Sequence, residues 1–182
     1  MDKKLVGKKI AILATNGVEQ SELTEPRKAL EEAGAQTELI SIDQGQIKAW
    51  SKKEWGDSFT VDKVVSEANS QEYDGLVLPG GVMNPDFLRT NKDVINFIKE
   101  IHTAGKSIAA ICHGPWTLIE AQIVSGVKMT SWPSLQTDLR NAGAEWVDEE
   151  VVVDKGFITS RKPDDIPAFN TKMIEAFQVN ST

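Results

Sequence analysis

The sequence predicts an α/β fold in one domain, residues 1–182: a three-layer sandwich with a mostly parallel central sheet and helices on both faces. Three observations carry this reading. The runs 9–15 (KIAILAT), 74–78 (DGLVL) and 106–111 (KSIAAI) are apolar without polar alternation, as strands buried on both faces must be. Segments of helical period lie between the strands, giving crossovers long enough for parallel pairing. The 182 residues, 40% of them hydrophobic, suffice for a core without a metal or disulfide staple, and no linker or internal repeat divides them.

The first strand, 9–15, is closed by Asn16-Gly17, a turn signal. From Ser21 onward Leu23, Arg27, Leu30 and Ala33 recur at helical spacing, and Gly34 stops the helix. A second strand occupies 37–42. Over 43–71, Lys52, Lys53 and Gly56 interrupt Trp50, Trp55 and Phe59, so neither a two-residue nor a 3.6-residue period survives; the expectation is a hairpin excursion leading into a short helix over 61–68. The strand 74–78 runs into Pro79-Gly80-Gly81, and a helix is expected over 91–104. The strand 106–111 then enters Cys112-His113-Gly114 and a helix over 115–121 with proline in its first turn. Beyond the segment 128–131, Gly143 stops a helical stretch over 135–142. Two strand-like pieces, 151–154 and 157–160, turn at Asp154-Lys155-Gly156, and a helix over 166–177 closes the chain.

Composition narrows the function. With 20 basic and 27 acidic side chains the net charge is −7, and no basic cluster supplies the footprint that a phosphate backbone requires; this argues against nucleic-acid binding. A single cysteine, Cys112, excludes an intrachain disulfide and, with two histidines, leaves too few soft ligands for a structural zinc site. Neither a metal nor an organic cofactor is expected. The N-terminus lacks a signal-peptide apolar region, and no apolar run approaches the roughly 18 residues of a membrane span, so the expected location is the reducing cytoplasm.

Ligands of parallel sheets bind beyond the carboxyl ends of the strands. Three unusual segments fall there: Asn16-Gly17-Val18-Glu19, Pro79-Gly80-Gly81 and Cys112-His113-Gly114. The last places a nucleophile between small residues at a strand-to-helix junction, the arrangement of a nucleophile elbow. A following helix N-terminus would favour a thiolate at Cys112, whereas a lone cysteine out of context is more often an inert, buried hydrophobe. Gly81 and the amide of His113 are candidates for an oxyanion hole; a plain Pro-Gly turn is the alternative. Glu19 is a candidate proton shuttle if buried and protonated, and an ordinary solvated carboxylate if not. His113 follows Cys112 directly, and adjacency alone does not guarantee a hydrogen-bonded dyad. His102, near a predicted helix C-terminus, is given no catalytic role.

Taken together, residues 110–115 (AICHGP), 17–19 (GVE), 78–81 (LPGG) and 159–169 (TSRKPDDIPAF) resemble the PfpI intracellular-protease family, within the superfamily of the parkinsonism-associated deglycase. The resemblance spans about residues 9–177 and implies a flavodoxin-like, class I glutamine amidotransferase-like fold. Carried over by position, it implies Cys112 as nucleophile, Glu19 as the acid hydrogen-bonded to the sulfur, and Gly81 with His113 as oxyanion amides. It also implies that Asp86 pairs with His113 of a neighbouring subunit. The assembly would then be a dimer at least, or the hexamer of some relatives. Val18 stands where the family commonly has phenylalanine, and Asp86 where some members have glutamate. No histidine follows His113, so the downstream His-Glu pair of a glutamine amidotransferase cannot be formed.

Three functions meet these residues. In the first, a cysteine nucleophile acts on reactive carbonyls, methylglyoxal or early glycation adducts on proteins and peptides, with the glutamate moving a proton and water releasing lactate. The second is a cysteine peptidase of PfpI type, which additionally requires a competent histidine. The third, not enzymatic, is a redox sensor or holdase built on an oxidisable Cys112.

Overall fold

The structure, a computed structural model, describes residues 3–179. β1 (Lys9–Leu13) leads through α1 (Gln20–Glu32) to β2 (Gln36–Ser41). A hairpin of β3 (Gln46–Ser51) and β4 (Glu54–Thr60) stands outside the main sheet, which the chain re-enters at β5 (Lys63–Val64) and β6 (Gly75–Leu78). Next come α2 (Met83–Leu88), α3 (Lys92–Thr103), β7 (Ser107–Ile111), α4 (Pro115–Glu120), β8 (Lys128–Met129), α5 (Gln136–Asn141) and β9 (Glu145–Trp146). The last elements are β10 (Val152–Asp154), β11 (Phe157–Ser160) and α6 (Ile166–Val179).

The main sheet has the order β10-β11-β7-β6-β1-β2-β5, parallel throughout except for β10, which pairs antiparallel with β11. Successive strand residues point to opposite faces, and this divides the core in two. Ile10 and Ile12 of β1, Val77 of β6 and Ile111 of β7 pack with Leu23 and Leu30 of α1 and Phe169, Met173 and Phe177 of α6. Ala11, Leu13, Leu76, Leu78 and Ile108 face the other way, onto Val94, Phe97, Ile98 and Ile101 of α3 and Leu118 of α4. Because both faces are covered, the central strands had to be apolar at every position, and this is why the 2.0-residue alternation is missing from their sequence. The three-layer sandwich is as the sequence predicts.

Two local features differ. Residues 61–68 do not form a helix: Asp62 donates its N–H to the Leu39 carbonyl at 2.8 Å and accepts the Leu39 N–H on its carboxylate at 2.7 Å. These bonds draw the segment alongside β2 as a short strand, followed by a 3₁₀ turn at Val65–Glu67. The six-residue helix α2, absent from the sequence prediction, directly follows the Pro79-Gly80-Gly81 turn.

The arrangement fixes the place of the site. β1, β6 and β7 are neighbours, and the chain proceeds from β1 to β2 on one side and later to β6 on the other. The carboxyl ends of these strands therefore open on a topological switch point, where three of the sequence's unusual turns meet.

Candidate active site

Cys112 leaves β7 with φ +62°, in the left-handed region that a residue with a Cβ seldom adopts. Such a conformation persists only where its surroundings hold it. Here the Cys112 N–H donates to the Ser160 carbonyl at 3.0 Å and its carbonyl accepts from the Trp132 N–H at 2.9 Å. The turn carries the chain from the strand end into α4, which starts three residues later, the elbow geometry expected.

The loop facing the elbow is fastened as tightly. Asn84, fully buried, donates from Nδ2 to the carbonyls of Pro79 at 3.0 Å and Gly80 at 3.1 Å, and accepts the Thr15 N–H on Oδ1 at 2.8 Å. One amide side chain thus ties the ends of β1 and β6 together. The sequence offered no signal for it beyond an asparagine near a glycine turn. At Gly80, a Cβ would lie 2.5 Å from Glu22 Oε1 and 2.6 Å from Cys112 Cβ, so only glycine allows this approach.

The carboxyl beside the sulfur belongs to Glu22, not to Glu19 as the resemblance implied. Glu22, on the first turn of α1, has no exposed surface; Oε1 accepts the Gly80 N–H at 2.9 Å, and Oε2 has no hydrogen-bond partner among the described residues. Burial pushes its pKa up to about 8, with the nearby charge of Glu19 adding to the rise and the Gly80 amide and Cys112 opposing it. At neutral pH Glu22 is therefore a carboxylic acid, able to donate a proton. Glu19 is half-buried at the helix N-cap and lines the same pocket; burial raises its pKa as well. The signal that could have separated the two was spacing: Glu22 lies one helical turn beyond Glu19, on the face of α1 that carries Leu23, Pro26 and Leu30 inward.

His113 Nδ1 lies 3.1 Å from Cys112 Sγ. The positive φ of Cys112 turns the two adjacent side chains toward each other, and so forms the contact that sequence adjacency alone left open. The imidazole is buried, stacked on Trp132 at a centroid distance of 6.0 Å and edge-on to Trp116 at 5.0 Å. Burial holds its pKa below the usual histidine value, so it is neutral at pH 7 and its free ring nitrogen can take a proton. Burial pushes the Cys112 thiol up, while the amides of Gly81 and His113 bear on the sulfur and favour its anion.

Cys112, His113, Glu22, Glu19 and Gly81 share one open pocket of about 450 Å³, walled by Trp50, Trp132, Met83 and Val82. Asp86 is not among them: it sits exposed on α2. No group of three or more His, Cys, Asp or Glu side chains among the described residues has the arrangement of a metal site.

The model of the DJ-1/PfpI family matches residues 8–176. The chain belongs to that family. Among its DJ-1/PfpI relatives, "Protein/nucleic acid deglycase 2" of Escherichia coli is 42% identical over 93% of this chain and 97% of its own. "General stress protein 18" of Bacillus subtilis is 44% identical over 93% and 97%. The crystal structure of DJ-1beta from Drosophila melanogaster superposes with a TM-score of 0.84 at 27% identity, covering 95% of this chain and 92% of that one. Family and fold are thus as the sequence motifs indicated. No helix among the described residues is long and apolar enough to cross a membrane.

Proposed function

We propose that this chain is a cysteine-dependent enzyme that removes reactive carbonyls, acting on methylglyoxal or on its early adducts with proteins and peptides. The observation that carries it is a single thiol held between a neutral imidazole 3.1 Å away and a buried carboxylic acid, all three lining one open pocket. A relative at 42% identity bears a deglycase name, which supports the same reading.

The steps follow from the groups present. As a carbonyl carbon enters, His113 Nδ1 accepts the thiol proton while Sγ forms a C–S bond, so the poorly acidic thiol is ionised only when the carbonyl is there to receive it. The developing alkoxide is received by the amides of Gly81 and His113. In the hemithioacetal of an α-oxoaldehyde, Glu22 first gives its proton to the neighbouring carbonyl oxygen; the carboxylate so formed takes the C–H proton of the sulfur-bearing carbon and returns it to the neighbouring carbon, which converts the adduct to a thioester of lactate, and Glu22 regains its own proton from His113. Water then hydrolyses the thioester, restoring the thiol and releasing lactate. An adduct on an amine additionally releases that amine.

The test is lactate release from methylglyoxal and amine release from its N-acetylarginine adduct, compared between wild type and Cys112→Ser. Loss of at least about a thousandfold in both is expected; undiminished turnover would end the proposal. The Cys112–His113 contact also meets the demand of peptide hydrolysis, and casein in the same assay distinguishes a peptidase.

The working form we propose is a cytoplasmic homo-oligomer, a dimer at least. Asp86 is exposed on α2 beside exposed Phe87, with Val82 exposed at the pocket rim, a surface suited to bringing the carboxylate to His113 of a second copy.

A further inference from the structure

Glu19 is left without a task once Glu22 takes the place beside the sulfur. Its position is nevertheless built. Its N–H donates to the Gly80 carbonyl at 3.2 Å, and the preceding carbonyl, of Val18, accepts the Trp50 N–H at 2.8 Å, so backbone bonds hold it against two elements. It stands at the N-cap of α1 with extended backbone, φ −63° and ψ 117°, but its side chain makes no capping hydrogen bond to the helix. A glutamate is too long to cap well, and this one lines the pocket instead.

The pocket's charge pattern follows from burial. The residues lining it include no lysine and no arginine, and its histidine is neutral. Arg161, two residues before the lining Pro163, is held by Asp165 at 2.9 Å and Asp148 at 2.8 Å. Of two neighbouring carboxyls, the one with access to water keeps the negative charge and the enclosed one keeps the proton. Glu22, with an unpartnered Oε2 and no exposure, is the enclosed one; Glu19 is the charged one. Trp50, whose backbone bridges to Glu19, and Trp132 line the same pocket, and indole rings attract cations.

We infer that Glu19 is a specificity residue, selecting carbonyl adducts that retain a positive charge, those of arginine and lysine side chains, over neutral adducts of thiols. The inference rests on the carbonyl-adduct reading above. An arginine adduct remains a guanidinium and a lysine adduct an ammonium, whereas a cysteine hemithioacetal carries no charge. With Glu19, the two indoles and Cys112 lining one pocket, a substrate held by its cation presents the neighbouring carbonyl carbon to the sulfur.

The test separates charge selection from turnover. Cys112 is modified with two methanethiosulfonate reagents, the cationic aminoethyl and the neutral methyl compound, and the rates are read by intact mass. In Glu19→Gln the ratio of cationic to neutral rate falls by about tenfold relative to wild type, while Glu25→Gln, an exposed change of equal charge on the same helix, leaves it unaltered. A ratio in Glu19→Gln within twofold of wild type overturns the inference. The methylglyoxal adducts of N-acetylarginine and N-acetylcysteine are then compared as substrates, and kcat/KM for the arginine adduct falls selectively in Glu19→Gln. If neither adduct is turned over by wild type, the carbonyl-adduct reading fails, and the reagent ratio still decides the role of Glu19.

Discussion

Glu22→Gln changes one atom of a fully buried group, and the pH dependence of folding isolates its effect. The carboxyl has a pKa near 4.5 in the unfolded chain and about 8 in the native protein. Between these values the native state binds more protons than the unfolded state, so wild-type stability falls as pH rises. The accumulated loss is about 3 kcal/mol at pH 7 and about 5 kcal/mol above pH 8. Glutamine is neutral in both states and has no such slope. Its side-chain oxygen can still accept the Gly80 N–H, and its amide nitrogen occupies the place of the unpartnered Oε2. The stability of Glu22→Gln relative to wild type should therefore rise by about 3 kcal/mol from pH 4.5 to pH 7, on top of a constant offset from the amide. Urea unfolding followed by tryptophan emission at pH 5, 6, 7 and 8 measures this directly. Parallel stability curves for the two proteins would refute a buried, protonated Glu22. The same variant cannot release or return a proton, and lactate formation should drop by roughly 10²- to 10⁴-fold despite the gain in stability.

Gly80→Ala places a methyl group 2.5 Å from Glu22 Oε1 and 2.6 Å from Cys112 Cβ; a loss of about 2 kcal/mol in urea unfolding is expected together with loss of turnover, because both groups must shift. Asp86→Asn, an exposed change, should alter unfolding by no more than about 0.5 kcal/mol. Its activity should nevertheless fall where wild-type activity rises with protein concentration in step with association seen by sedimentation; equal activities at every concentration would separate Asp86 from the site.

The legible parts of the sequence were those governed by short-range rules. The apolar runs of β1, β6 and β7 announced a doubly covered sheet, because a strand with hydrocarbon on both sides has no solvent face to encode. The elbow was legible because Cys112 is followed by Gly114 and Pro115, a turn and a helix start in three residues. The choice between Glu19 and Glu22 was not. Both are acidic residues near the start of one helix, and what makes them chemically different is that Gly80, 58 residues beyond Glu22 in sequence, brings an amide and the sulfur against only one of them. The segment 61–68 misled for a similar reason: its pairing with β2 depends on Asp62 meeting Leu39, a contact that no local period records.

By itself, then, the sequence determined the layer architecture, the family, and a cysteine at a sharp turn, since hydrophobic periodicity, glycine placement and short motifs are properties of neighbouring residues. Tertiary structure alone decided which carboxyl is enclosed beside the sulfur and that His113 reaches it. Protonation depends on how much water and which charges surround a group, and those surroundings are assembled from β1, α1, β6 and β7 only when the sheet has formed.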